Sequence, residues 1–293
     1  MQDQLKQILS MEKDLLRGRC VMSIRSAGGG ERGGCWRAEL SDGSAWFLKV
    51  SDPALLEAEQ QGLRSLRRWA ALDLIEVVEV AAYLPLGHQG VLVLPWWELG
   101  HGDQFNLGKG LACLHRLSSL NGPERFGWDD DGFIGLGPQK AGWRDEWGEA
   151  FVRLRLEPQL RLAAAWSLQE NDWSSLLEPL AQWLNVHTPE PCLVHGDLWA
   201  GNASVLADGR GLLIDPACWW ADREVDLAMT QLFGGFSRRF YEGYTEKWPL
   251  PNGADLRVDA LNLYHLLNHA NLFGGSYRQR CLQVIRQLLI KMS

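Results

Sequence analysis

Residues 45–66, AWFLKVSDPALLEAEQQGLRSL, place the tightest constraint on the fold. AWFLKV is an apolar, strand-like run interrupted by Lys49. A lysine in such a run costs free energy unless it is paired. Ser51-Asp52-Pro53 is a helix start, with Asp52 able to cap and Pro53 suited to the first turn. The helix that follows runs to about Trp69, with Leu56, Leu63 and Leu66 on its apolar face. Glu59 stands three residues after Leu56 and four before Leu63, so it falls on that same face. Taken singly, Lys49 could reach solvent at a strand end, and Glu59 could be a boundary residue. Taken together, they are natural partners in one interior.

The flanking segments build a small sheet around this pair. CVMSIRSAGGGERGGCWRAEL (20–40) reads as two strands joined by a glycine-rich turn, and SDGS (41–44) as a hairpin turn. IEVVEVAAYLPLG and GVLVLPWW read as two further strands. The glycine-rich turn, with Gly33 and Gly34, could bring backbone N–H groups close to phosphates, although it has no clean GxGxxG pattern. Beyond Pro95 the pattern changes. GDQFNLGKGLACLHRLSSL is helical, NGPERFGWDDDGFIGLGPQKAGW reads as a long loop, and 143–187 is mostly helical again. PCLVH, SVL and GLLID are short strands, and the chain from about Glu224 is helical with a break at 249–253. The expected fold class is α+β and bilobal. An antiparallel-sheet lobe with one inserted helix (1–96) precedes a larger, mainly helical lobe (97–293).

Composition narrows the function classes. No apolar run approaches the roughly 18 residues of a membrane span. MQDQLKQILSMEKDLLRG reads as an amphipathic helix rather than a secretory signal. A net charge of −7 with no basic stripe argues against nucleic acid as a partner. Six cysteines without a CxxC pair argue against a zinc site or disulfide framework and point to a reducing cytoplasm.

LVHGDLWAGN (193–202) carries the chemistry. An apolar strand ends in a tight loop holding Asp197 and, five residues later, Asn202. A carboxylate there can orient or deprotonate an attacking hydroxyl. An amide oxygen can ligate a hard cation such as Mg²⁺, and Asp215, at the end of GLLID, supplies a second ligand. The turn ADGR pairs GLLID with SVL and brings Asp215 near the first loop. Each aspartate alone could be a turn or cap residue. The ordered set Lys49, Glu59, Asp197, Asn202, Asp215 matches the parts of phosphoryl transfer in the protein-kinase class.

HGDLWAGN followed by IDPACWWADREVDLAM resembles the fructosamine/ketosamine kinase family, within the aminoglycoside-phosphotransferase-like, protein-kinase-like fold. EAEQQGLRSL, LACLHRL, FGW, DGFIGLGPQ and WGEAFVRLRLEPQL extend the resemblance over nearly the whole chain. The resemblance implies ATP and Mg²⁺ as cofactors and a small-molecule or protein-bound ketosamine as acceptor, phosphorylated on its 3-hydroxyl in a deglycation reaction. It implies Lys49 on the ATP phosphates, braced by Glu59. Asp197 becomes the base, with Asn202 and Asp215 on the metal. Leu94 to Trp97, and so Leu94 and Trp96, becomes the adenine hinge. His195 becomes structural. Asp226 becomes a brace for the catalytic loop, or a helix-start carboxylate. Trp199 can stack on a sugar or pack. Cys35, in GGCW, is either a redox-switch thiol or an incidental one. Lys140 stands where the family pattern has asparagine after GFIG..PQ. Two other functions stay open at this point. One is phosphotransfer to an aminoglycoside, choline or another alcohol, which the DLW and DREVDLAM features oppose. The other is an inactive binding module, which the complete five-residue set opposes.

Overall fold

A computed structural model describes residues 1–28, 34–100 and 102–292. The first lobe is a five-stranded antiparallel sheet. Its order is Val21–Gly28, Cys35–Leu40, Ala45–Ser51, Gln89–Pro95, Ala82–Leu86. The period-two alternation of strand side chains divides its apolar residues between two cores. Leu48, Val50, Val91 and Val93 face the N-terminal helix Gln2–Met11 through Leu5 and Leu9. Leu92 and Leu94 face the other way, into a core shared with Leu56, Leu63 and Leu66 of helix Pro53–Trp69. Lys49 lies on that second face, in register with Leu92. Helix Pro53–Trp69 begins as its sequence dictates, with the Asp52 carboxylate accepting the Ala54 N–H at 2.9 Å and Pro53 in the first turn.

IEVVEVAAYLPLG is not one strand. Ala82–Leu86 closes the first sheet, whereas Ile75–Val77 pairs in parallel with Gly211–Leu213, far along the chain. A period-two pattern cannot reveal this switch of partner. Glu76 marks the crossing point. Its buried carboxylate accepts from Arg67 of the first-lobe helix at 2.5 Å and from Arg210 of the later hairpin turn at 2.9 Å.

The segment read as a long loop carries four short strands, Phe126–Trp128, Gly132–Ile134, Gly137–Gln139 and Gly142–Arg144. The middle two pair with each other, and the outer two join a sheet that contains Trp219–Ala221 and Cys192–Val194. Three-residue strands rich in glycine carry too little apolar pattern to be seen in sequence.

Helices surround these sheets. A large apolar core unites Trp147, Phe151, Trp219, Tyr264 and their neighbours. A π turn, Val152–Leu156, precedes Glu157–Leu162. Pro158 has no N–H to offer the Leu154 carbonyl. That carbonyl instead accepts from the buried Arg155 guanidinium at 3.0 Å.

His265 sits fully buried in helix Ala254–Phe273, and burial lowers its pKa to about 3. Burial also lowers the pKa of His195. Below pH 6.5 the unfolded chain binds protons at both positions that the folded chain refuses, so stability falls as pH drops. Denaturant unfolding between pH 6.5 and 5 should show a slope approaching about 1.4 kcal/mol per pH unit from His265, with a further contribution of the same sign from His195. His265→Leu should remove one such contribution.

Candidate active site

Strand Cys192–Val194 delivers the chain into His195-Gly196-Asp197, and one carboxylate organises that turn. Asp226, fully buried in the first turn of helix Glu224–Leu232, accepts the His195 N–H at 2.7 Å and the Gly196 N–H at 2.8 Å. His115 Nε2, from helix Phe105–Asn121, stands 3.1 Å from it, and His115 Nδ1 meets the Tyr244 hydroxyl at 2.9 Å. Burial alone would raise the Asp226 pKa, but the His115 bond, the two neighbouring histidines and the Gly196 N–H hold it below the ordinary value. The two sequence-based readings of Asp226 therefore describe one residue, at a helix start and also bonded to the loop.

The His195 side chain is fixed as a neutral tautomer. Nε2–H donates to the Ile214 carbonyl at 2.8 Å, so Nδ1 is the lone pair that accepts the Asp197 N–H at 3.3 Å. Gly196 has φ +83°, and a Cβ there would run into the Ala217 carbonyl oxygen. The loop closes with Trp199 O accepting the Asn202 N–H at 2.9 Å.

Asn202 Nδ2 donates to the Asp197 carbonyl at 2.9 Å, to Asp197 Oδ2 at 3.0 Å and to the Asp215 carbonyl at 3.3 Å. The amide nitrogen is thus committed, and Oδ1 is the atom able to meet a cation. Asp215 ends the hairpin Ala203–Leu206/Gly211–Leu213 in the left-handed region, φ +53°. Lys49 Nζ bridges Asp215 Oδ1 and Glu59 Oε2, the latter at 2.8 Å. Burial alone would lower the lysine pKa, but the two carboxylates hold it above the ordinary lysine value. Burial and the Asp215 charge push Glu59 up against the pull of Lys49.

A cavity of about 650 Å³ brings Lys49, Glu59, Asp197, Trp199, Asn202, Asp215 and Cys35 together. His195 and Asp226 lie behind its wall. Leu94 is buried in the core between strand and helix. Trp96 is turned elsewhere: Arg37 covers its ring at 4.5 Å, its Nε1–H donates to Glu98, and its backbone N–H is committed to Ala45 O. Any hinge role is thereby limited to main-chain groups. Gly34 has φ +89°, and Gly33 lies outside the described residues. Cys35 lines the cavity beside Lys49. It opens a strand and is nearly buried, and burial pushes its thiol above the ordinary value against the pull of Lys49. Lys140 is exposed and paired with Asp131 at 3.0 Å.

Sequence reading missed several lining residues. Phe133, Gly135 and Leu136 come from the hairpin hidden in the long loop. Phe233, Asn268, His269 and Tyr277 come from helical segments where polar and aromatic residues look like ordinary packing. His115 was visible only as a histidine inside LACLHRL, a pattern equally consistent with a core residue.

This combination of a small sheet lobe with a helical lobe, and of a lysine–glutamate pair with an HGD loop, defines a kinase-like phosphotransferase. The model of the fructosamine kinase family matches residues 3–291. A relative from Synechocystis sp., named probable ketoamine kinase, is 39% identical over 278 residues, covering 92% of this chain and 91% of its own. A solved structure from Thermobifida fusca, whose name places it among the fructosamine-3-kinases, is 31% identical. It superimposes with a TM-score of 0.82 over 96% of this chain and 98% of its own. An aminoglycoside phosphotransferase, APH(4)-Ia, in complex with ADP and hygromycin B, shares the fold at 15% identity (TM-score 0.63; 96% of this chain, 98% of its own). The chain belongs to the fructosamine kinase family. Among the described residues, no helix is long and apolar enough to cross a membrane.

Asp226→Ala would leave two backbone N–H groups and His115 buried without their acceptor. Denaturant unfolding should show a loss of about 3–5 kcal/mol, as for removal of one member of a buried charged network. A loss under about 1 kcal/mol would remove Asp226 from this role.

Proposed function

We propose that the chain is an ATP-dependent kinase that phosphorylates the 3-hydroxyl of ketosamines, the sugar adducts of amines or protein lysines, in a repair reaction. The observation that supports this most is the convergence of five chemically matched side chains on one cavity, in a chain of the fructosamine kinase family. In this reading residues 1–96 form the nucleotide-gripping lobe and 97–293 the acceptor lobe. The six cysteines, all unpaired, suit the cytoplasm.

Lys49, kept cationic by its two carboxylates, meets the nucleotide phosphates, with Glu59 holding it in place. The main chain around Leu94–Trp97 and at Gly34 borders the nucleotide. Asp197 accepts the proton of the acceptor hydroxyl. Its backbone is set by His195 and its carboxylate is steadied by Asn202 Nδ2. The oxygen donors of Asn202 and Asp215 suit a hard divalent cation such as Mg²⁺, which when bound offsets charge on the transferring phosphoryl group. Trp199 is 41% exposed at the cavity, edge-on to Phe233 at 6.5 Å. That leaves a ring face for the sugar.

Asp197→Asn should lower turnover by about 10²–10⁴-fold, the usual contribution of a positioned base, with unchanged nucleotide affinity by calorimetry. Near-normal turnover would refute the assignment of the base. ADP release with ribulosamine and fructosamine forms of lysine, run beside an aminoglycoside and choline, should rise only with the ketosamines. A response to the other alcohols alone would replace the acceptor class.

A further inference from the structure

The GFIGLGPQ hairpin, residues 132–139, has a second role besides lining the cavity through Phe133, Gly135 and Leu136. Its last residue, Gln139, is 5% exposed. Gln139 Nε2 reaches the Ala217 carbonyl at 3.2 Å and the Cys218 carbonyl at 3.4 Å. Gln139 Oε1 accepts the Tyr264 hydroxyl at 2.9 Å, and this sets which end of the amide faces the two carbonyls. Those carbonyls belong to the segment directly after Asp215. Asp215 itself holds φ +53°, a backbone state that a non-glycine residue keeps only where its surroundings impose it. On the other side the same segment is tied by Ala217 N–H to the His195 carbonyl at 2.8 Å. The hairpin is in turn anchored, since Arg155 donates to the Lys140 carbonyl at 2.9 Å and Asn268 to the Ile134 carbonyl at 3.2 Å.

We propose that Gln139 is a positioning residue for Asp215: its amide holds the Ala217–Cys218 backbone so that the Asp215 carboxylate stays aimed into the cavity. The hairpin thus gives the segment after Asp215 a fixed clamp drawn from the chain's own second lobe. This inference rests on the reading of Asp215 as a cation ligand.

The test uses Gln139→Met, which keeps the length of the side chain and removes both donors. Nucleotide binding is titrated by calorimetry against Mg²⁺ without acceptor, and kcat and acceptor KM are measured separately. The Mg²⁺ needed for half-maximal nucleotide binding should rise about 10–100-fold, the usual effect of losing a group that orients a ligand. kcat should fall, and acceptor KM should hold. Asp215→Asn, run in parallel, separates the two claims. If it raises the requirement and Gln139→Met does not, the positioning role is wrong and the ligand reading stands. If neither variant changes it, both are wrong. Should Gln139→Met fail to fold, Tyr264→Phe keeps the donors but frees the amide to turn. It should raise the Mg²⁺ requirement severalfold, and an unchanged requirement overturns the proposal.

Discussion

Lys49 lies between two carboxylates that come from different lobes, Glu59 on the inserted helix and Asp215 at the end of a hairpin 166 residues further along. Glu59 is buried and Lys49 largely so, and each needs the other's charge there. Burial pushes the Glu59 carboxyl up and would push the lysine down. Only the three together leave a tolerable charge in a poorly solvated site. This requirement couples the rest of the structure. The helix must pack close on the Lys49 strand, as its Leu56–Leu63–Leu66 stripe ensures. The hairpin must be delivered from the other lobe, as the pairing of Ile75–Val77 with Gly211–Leu213 and the Arg67–Glu76–Arg210 bridge ensure. The cleft between the lobes is therefore the place where a buried charge cluster has been completed.

A second buried carboxylate performs the corresponding task for the loop. Asp226 gathers two consecutive backbone N–H groups and a histidine, and so fixes the turn that carries Asp197. His195, in its one tautomer, links that turn to the strand ending at Asp215. The proposed base and the proposed cation ligand are thus joined through backbone groups and one neutral imidazole. A small displacement at either would be felt at the other.

Much of this is legible in the sequence because it rests on local rules. Asp52-Pro53 fixes a helix start, the leucine spacing places Glu59 inward, and an apolar strand running into HGD places a carboxylate at a strand end. What escaped depends on partners far apart in the chain. Ile75–Val77 has the pattern of any strand, and nothing in its residues names Gly211–Leu213 as the neighbour. Trp96 follows an apolar strand, yet Arg37 and Glu98 draw its ring out of the cleft. Cys35 follows a glycine-rich turn, and nothing in its neighbours shows that it opens a strand and is nearly buried. Gln139 is one polar residue in a glycine-rich stretch, and its meaning appears only when Ala217, Cys218 and Tyr264 surround it.

The fold is shared with an aminoglycoside phosphotransferase, so the architecture alone does not choose the acceptor. The proposed facing of Asp197 to a sugar hydroxyl of a ketosamine can be checked by incubating the enzyme with ATP, Mg²⁺ and fructosyl-lysine and locating the phosphate by ³¹P and ¹³C NMR. A single phosphate ester on the 3-hydroxyl is expected. Phosphate at another position, or no ester while an aminoglycoside is phosphorylated, would contradict it.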